Sequence, residues 1–266
     1  STADTIFQES KKMLGKPILS KSQYINGCQC LKHLWLHRNK YKERKVPKET
    51  QKKYDVGHLI GKLAQNLFPN GKDATPHQCY CERVIDMSKY NLPTILKQLL
   101  MIENTKLMID ENVIYEASFL FNATYVSVDI LVKESDKRIA YEVKSSTEIS
   151  ETFINDCAFQ YYVISKNIRI DDFFLIYLNE EYIKKTNIPL QDLTMSNCDV
   201  NKLFVKESVL DRVIALQAAV SENINKFKSI LSGTEPIIKQ GDHCHVPYEC
   251  AFNDYCYKLK SNKFKW

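Results

Sequence analysis

Three consecutive stretches, Asn112–Phe121, Tyr125–Lys133 and Arg138–Lys144, abandon helical spacing for alternation, and they limit the possible folds more than any other feature. Alternation of this kind builds strands. Glu134-Ser135-Asp136-Lys137 supplies turn chemistry between the last two. A turn centred between Ser135 and Asp136 sets Asp129 directly across from Glu142. Val126, Val128 and Ile130 are expected on one face, and Tyr125, Ser127 and Asp129 on the other. Glu142 and Lys144 share a face, opposite Tyr141 and Val143.

Opposed side chains in such a pair lie roughly 4.5–5.5 Å apart, and like charges there destabilise the sheet. A divalent cation between the two carboxylates reverses that penalty. Mg2+ takes oxygen ligands of this kind and keeps several waters. Lys144 stands beside it, where it can orient or deprotonate a water or neutralise a phosphate. These are the parts of phosphodiester hydrolysis. The plainer alternative is a hairpin with a solvated polar face, because a lone Glu-x-Lys is common.

Helical spacing covers Ser22–Lys40, Val56–Leu67, Asn91–Asn104, Ser150–Lys166 and Leu210–Leu231, and Phe173–Leu178 suits a buried strand. Helices, strands, helix, strand and helix in that order predict an α/β core with helical flanks. No run of about 18 apolar residues predicts a membrane span. Ser1–Lys16 is polar and lacks an apolar signal core, so a cytoplasmic location is expected.

Nine cysteines, an odd number without a secretion signal, favour metal ligation over a disulfide framework. Cys244, Cys250 and Cys256 recur at six-residue intervals. A cubane [4Fe–4S] cluster or an all-cysteine zinc site needs a fourth ligand. Cys30 is the best donor, with Cys28 beside it as a competitor. His243 and His245 keep zinc open. Cys79, Cys81, Cys157 and Cys198 are expected to be buried or incidental thiols.

The net charge is +5, but it is unevenly spread. From His37 to Lys53, eight basic residues, among them Lys40, Lys42, Arg44 and Lys45, face two acids. The tail holds Lys258, Lys260, Lys263 and Lys265 with no acid after Asp254. Two such concentrations suit a polyanion partner, or else form solvated surface segments. Shared ligation of Cys30 and Cys256 would bring them together. Tyr257, Phe264 and Trp266 among the tail lysines favour single strands, whose bases can stack.

Asp129 followed by Glu142-x-Lys144 resembles the PD-(D/E)XK nuclease signature, and Asp156-Cys-Ala-Phe-Gln160-Tyr161-Tyr162 resembles the Gln-Tyr motif of its RecB-like branch. Position 164, where that branch carries tyrosine, is Ile, so Tyr161 or Tyr162 must serve. Glu116 sits where the branch often has an acid. Its Gly-x-x-x-His pattern is displaced here, with His58 directly after Gly57 and Gly61 in the fourth place. His58 is therefore either a shifted metal ligand or a surface residue. One upstream cysteine with a C-terminal trio is the arrangement of iron–sulfur RecB-like nucleases. These include the CRISPR-associated exonucleases, the nuclease half of AddB and a family of bacterial proteins with a similar Ser-Lys-Ser start and Pro-Tyr-x-Cys tail.

The resemblance covers residues 18–256, between an extension at 1–17 and a basic aromatic tail at 257–266. It implies a restriction-endonuclease-like mixed sheet core flanked by helices, a helical N-terminal lobe and a cysteine-rich C-terminal clasp. It implies catalysis by Asp129, Glu142 and Lys144, supported by Glu116 and Gln160. Mg2+ or Mn2+ is expected on Asp129 and Glu142, with His58 a candidate ligand. A [4Fe–4S] cluster, or zinc in its place, is expected on Cys30, Cys244, Cys250 and Cys256. The implied activity is exonucleolytic, on single-stranded DNA ends. Tyr161 or Tyr162, with Lys40, Lys42, Arg44, Lys45, Lys258 and Lys260, would contact the DNA. Expected partners are DNA and a helicase, or a CRISPR adaptation or defence complex, with no membrane. The sequence contains no helicase P-loop, so any unwinding must come from elsewhere. The alternative from another class is a non-catalytic nucleic-acid-binding or adaptor module on a degenerate nuclease fold, against which the intact Asp-Glu-Lys set argues.

Overall fold

The computed structural model describes residues 18–76 and 94–262. The 1–17 extension, Cys79 and Cys81, the expected helix start at 91–93, and Lys263, Phe264, Lys265 and Trp266 lie outside the described residues, as does the side chain of Lys260. Seven strands form one mixed sheet: β1 (Leu19–Ser20), β2 (Lys72–Asp73), β3 (Val113–Phe121), β4 (Thr124–Glu134), β5 (Lys137–Val143), β6 (Asp172–Leu178) and β7 (Phe204–Ser208). The order across it is β2-β3-β4-β5-β6-β7, and β1 pairs with β4. The helices are α1 (Lys21–Gln29), α2 (Leu31–Asn39), α3 (Lys48–Ala64), α4 (Thr94–Leu107), α5 (Glu151–Ile164), α6 (Glu180–Thr186), α7 (Val200–Leu203), α8 (Leu210–Ala215), α9 (Gln217–Ser232) and α10 (Asn253–Asn262).

The alternating stretches become the antiparallel meander β3-β4-β5. Asn122 and Ala123, both at positive φ (46° and 56°), make a two-residue turn of the kind that matches strand twist. The second turn pairs Glu134 with Lys137, which is the expected register. After β5 the chain crosses through α5 and returns as β6, parallel to β5. The two-residue β1 takes the flank of β4 at Thr124 and Tyr125, beyond the level where β5 has paired with it. The ends of β1 and β5 therefore approach each other.

Helices cover both sides of the sheet. Tyr24, Leu34, Phe159 and Phe227 join Val126, Val128 and Ala140 in one core. Ile60, Leu63 and Ala64 of α3 pack on Tyr115, Ile130 and Tyr141 in another. The N-terminal helices α1 and α2, the expected helical lobe, pack into the main core: the Tyr24 ring stacks on Phe159 at 4.5 Å.

Four expectations need correction. Val126, Val128 and Ile130 do not share a face. Val128 and Leu131 belong to the first core and Ile130 to the second, so alternation slips near Asp129. Glu116, opposite on β3, sits at φ 57°, a left-handed conformation costly for a glutamate, and Ile114 and Ala117 on either side face the same core. The expected helix over 22–40 breaks at Cys30, whose extended backbone (φ −160°, ψ 122°) ends α1 and begins α2. The helix expected from Leu210 to Leu231 breaks at Leu216, and Ile214 is exposed. Finally, α3 starts at Lys48, eight residues before the expected Val56, because residues 48–55 are solvent-facing and bury no stripe that would betray them. Among the described residues no helix is long and apolar enough to cross a membrane.

Candidate active site

The register of the meander carries Glu116, Asp129 and Glu142 into one row across three neighbouring strands, one step from the paired Tyr115, Ile130 and Tyr141. The ladder is interrupted along this row. The Asp129 carboxylate fills part of the gap by accepting from the Val143 N–H at 2.7 Å. Glu116 accepts from the Ser127 hydroxyl at 2.9 Å.

Glu142 is the centre of the site and is 1% exposed. One of its oxygens, Oε1, accepts from the Lys144 ammonium at 2.8 Å and from the Lys21 ammonium at 2.8 Å. Its other oxygen, Oε2, is buried with no hydrogen-bond partner. Ser150 caps α5, accepting from the Phe153 N–H, and thereby sets the helix so that Asp156 and Gln160 are buried one turn apart. Asp156 accepts from Lys144 at 2.5 Å and from the Gln160 amide at 3.0 Å. Gln160 Oε1, also buried, has no partner. Lys21, Glu142, Lys144, Asp156 and Gln160 thus form one bonded chain beneath the carboxylate row.

Two cations meeting one carboxylate split the titration of the acids. Burial opposes ionisation of Glu142, but Lys144 and Lys21 outweigh it and hold its carboxyl well below the usual range. Burial and the neighbouring Glu142 charge push Asp129 well above its usual value. Burial also raises Glu116. Burial opposes the charge of Lys144, yet Asp156 and Glu142 hold the ammonium well above lysine's usual range. Lys21 is raised likewise, against burial, by Asp156 and Glu142. Charge is thus favoured on Glu142 and disfavoured on Asp129. A buried, unpartnered oxygen on Glu142, in one row with a carboxyl whose ionisation is disfavoured by burial and by its neighbour, is a donor set that would suit a hard divalent cation.

His58 is exposed on α3 and makes no hydrogen bond or ion pair with these acids. Tyr161 and Tyr162 are half-buried, packed against the main core, and Tyr162 meets Phe121 edge-on at 5.9 Å. Lys21 and Asp156 were not assigned roles from sequence. Asp156 carried a signal, lying four residues before Gln160 on one helix face. Lys21 follows a legible capping box of Ser20 and Gln23, but its arrival at Glu142 depends on the pairing of β1 with β4.

A second constellation lies where the chain ends come together. Cys30, Cys244, Cys250 and Cys256 line one small cavity with Lys32, His33 and His243. The extended break at Cys30 separates it from Cys28, which is exposed and lies outside that lining. All seven described cysteines are free thiols; Cys157 is buried and Cys198 half-buried. Burial, with the other three thiols adding, pushes Cys250 up to about 11, and burial likewise raises Cys256 against the charge of Lys32. Among the described residues no group of three or more His, Cys, Asp or Glu is already gathered to hold a metal ion. The cavity nevertheless brings four soft donors together. His245 is engaged by Glu249 at 2.9 Å. Gln29 on α1 donates to the carbonyls of His243 and Tyr248, at 2.8 and 2.6 Å. Tyr248 in turn is raised by burial and feels the charges of Lys144 and Asp156, so this loop reaches toward the carboxylate row.

The basic run and the C-terminal segment adjoin. The Lys45 N–H donates to the Ala251 carbonyl at 2.8 Å, and its ammonium pairs with Asp254 at 2.9 Å. Lys40 and Lys42 are exposed, and Arg44 is half-buried over the Tyr41 ring. Lys258 is exposed on α10.

No family model and no curated protein matches the sequence. Among solved structures, one described as "Crystal structure of SSO0001" aligns over 75% of this chain and 94% of its own, at 13% identity and a TM-score of 0.31. A likeness that slight carries no argument, and the residues must speak for themselves.

Proposed function

We propose that this chain is a metal-dependent deoxyribonuclease of the RecB-like PD-(D/E)XK type, with a restriction-endonuclease-like core, acting on single-stranded DNA ends. The observation that carries the proposal is Glu142, across from Asp129 in the strand register, with one carboxylate oxygen pinned by two ammonium groups and the other buried and bare. Asp129 and Glu142 would hold Mg2+ or Mn2+, which when bound supplies a Lewis acid and a more acidic water. Glu116 lies in the same row and Gln160 fixes Asp156. Lys144, clamped between two carboxylates, stays an ammonium; its role is to orient the attacking water and balance charge, and general-base work falls to bulk water or the phosphate. His58 is left as a surface residue on this proposal.

Cys30, Cys244, Cys250 and Cys256 would hold a [4Fe–4S] cluster, with zinc as the alternative, closing a cysteine-rich clasp between α2 and the C-terminus. Its contribution is to stability. The adjoining basic segments, with Tyr161 or Tyr162 and the exposed lysines, suit a strand-binding track that supplies affinity through phosphate neutralisation.

The test is cleavage of a linear single strand against a covalently closed circle of the same sequence, with Mg2+ or Mn2+ and with chelator. Cutting of the line alone, and only with metal, supports the proposal. Equal cutting of both would remove end dependence, and no cutting of either would remove the nuclease.

A further inference from the structure

Lys21 has no counterpart in the expected catalytic set, and it is the less committed of the two site lysines. Among the described residues its ammonium pairs with one carboxylate, Glu142 Oε1 at 2.8 Å, whereas Lys144 is shared between Glu142 at 2.8 Å and Asp156 at 2.5 Å. Two ammonium groups thus converge on one carboxylate oxygen, with Asp156 supplying a second negative charge nearby. The placement of Lys21 is also built in. β1 runs along β4 toward the level where β5 ends, and the Ser20–Gln23 capping box starts α1 at Lys21. The side chain is 29% exposed while that of Glu142 is 2% exposed, so Lys21 has one end in the acid row and remains open to an incoming ligand.

We propose that Lys21 is a second catalytic lysine, whose ammonium binds a non-bridging oxygen of the scissile phosphate while Lys144, clamped by Asp156, stays with the attacking water. This rests on the nuclease proposed above. In the step it serves, a water oxygen bonds to phosphorus and the bond to the leaving oxygen breaks. The water's proton passes to solvent, the leaving oxygen takes one from solvent, and both lysines remain ammonium throughout. Lys21 adds positive charge where the phosphorane oxygens become more negative, an interaction strongest in the transition state. The competing role is purely structural: Lys21 neutralises Glu142 and so keeps a metal ligand in place.

The experiment compares wild type with Lys21→Met, Lys21→Gln and Lys21→Arg. Mn2+ binding without DNA is followed by titration calorimetry, and single-turnover cleavage of a linear single strand is measured at saturating Mn2+. Glutamine can keep the hydrogen bond to Glu142 without the charge, so it remains informative if the methionine variant fails to fold. The expected result is a rate loss of about 100-fold or more for Met and Gln, with recovery to within about tenfold by Arg. Mn2+ binding in Met and Gln should be at least as tight as in wild type, because one positive charge has left the site. The proposal is overturned if Gln cleaves within about threefold of wild type, or if its loss is one of Mn2+ affinity that excess Mn2+ fully restores. A wild-type protein that cleaves nothing overturns the nuclease itself, and this inference with it.

Discussion

At the carboxylate row, Lys21, Lys144 and Gln160 reach Glu142 and Asp156 in one continuous chain of hydrogen bonds. At the cysteine cavity, four thiols share a space without bonding one another, and burial keeps Cys250 and Cys256 protonated. The first site is held by strand register and two helices, α1 and α5, and leaves two buried oxygens, Glu142 Oε2 and Gln160 Oε1, without a partner. The second joins Cys30 to residues 244–256 across most of the chain and has little of its own to hold it. The difference separates two roles for bound metal. In the row it should alter chemistry and leave the fold alone; in the cavity it should hold the fold and leave the chemistry alone.

The largest effect expected from that contrast is on turnover. Lys144→Ala should slow cleavage by about 10^3-fold, close to 4 kcal/mol of transition-state stabilisation. Asp156 then keeps Gln160 and Glu142 keeps Lys21, so circular dichroism should report a retained fold. Near wild-type cleavage would remove Lys144 from the chemistry.

Next is the cavity. Cys250→Ser should cost about 3–4 kcal/mol in urea unfolding, because ligation closes a very long loop. Cleavage per folded molecule should stay near wild type. Iron near four per chain is expected in protein prepared without oxygen, and one zinc with no iron would replace the cluster by a structural zinc site. Cys28→Ser, outside the cavity lining, should retain the bound metal.

A smaller effect comes from His33, which lines the same cavity. Burial, with His37 and Arg44 adding, lowers its pKa to about 4, and its Nδ1 is buried without a partner. The unfolded chain binds the proton more readily, near pH 6.5. The stabilisation is therefore complete above pH 6.5 and is lost as pH falls toward 4. Unfolding at pH 5 against pH 7.5 should show a loss of about 2 kcal/mol from this group. His33→Asn should flatten that part of the profile, and an unchanged slope would show that other groups cause it.

The smallest effect tests the helix that brings Lys21 to the row. A Cβ on Gly27 would meet the Phe227 ring at 2.7 Å. Gly27→Ala should thus cost about 1–2 kcal/mol despite the better helix propensity of alanine. A stabilised variant would mean that α1 does not lie against α9 in solution.

Much of the row was legible because it depends on local sequence. Alternation and the Ser135-Asp136 turn were enough to set Asp129 across from Glu142. The slip near Asp129 was not legible, because a left-handed glutamate at position 116 is imposed by the surroundings and has no glycine or asparagine to announce it. Lys21 was hidden for another reason: only two residues of β1 pair with β4, across more than a hundred positions, and no period marks so short a strand. For the cysteines, spacing revealed the C-terminal trio. That Cys30 and not Cys28 lines the cavity depends on the backbone break at Cys30, which a continuous apolar stripe conceals.

The most direct test of the central claim compares wild type with Asp129→Asn across a Mn2+ titration, using a labelled linear single strand. Burial and the Glu142 charge disfavour ionisation of Asp129, so a neutral amide should replace it at little cost while accepting the same Val143 N–H. The account predicts Mn2+-dependent cleavage by wild type, and an Asn variant that melts within a few degrees of it, binds DNA and does not cut at any Mn2+ concentration. Cleavage by Asp129→Asn at the wild-type rate, or by wild type without any divalent cation, would contradict it.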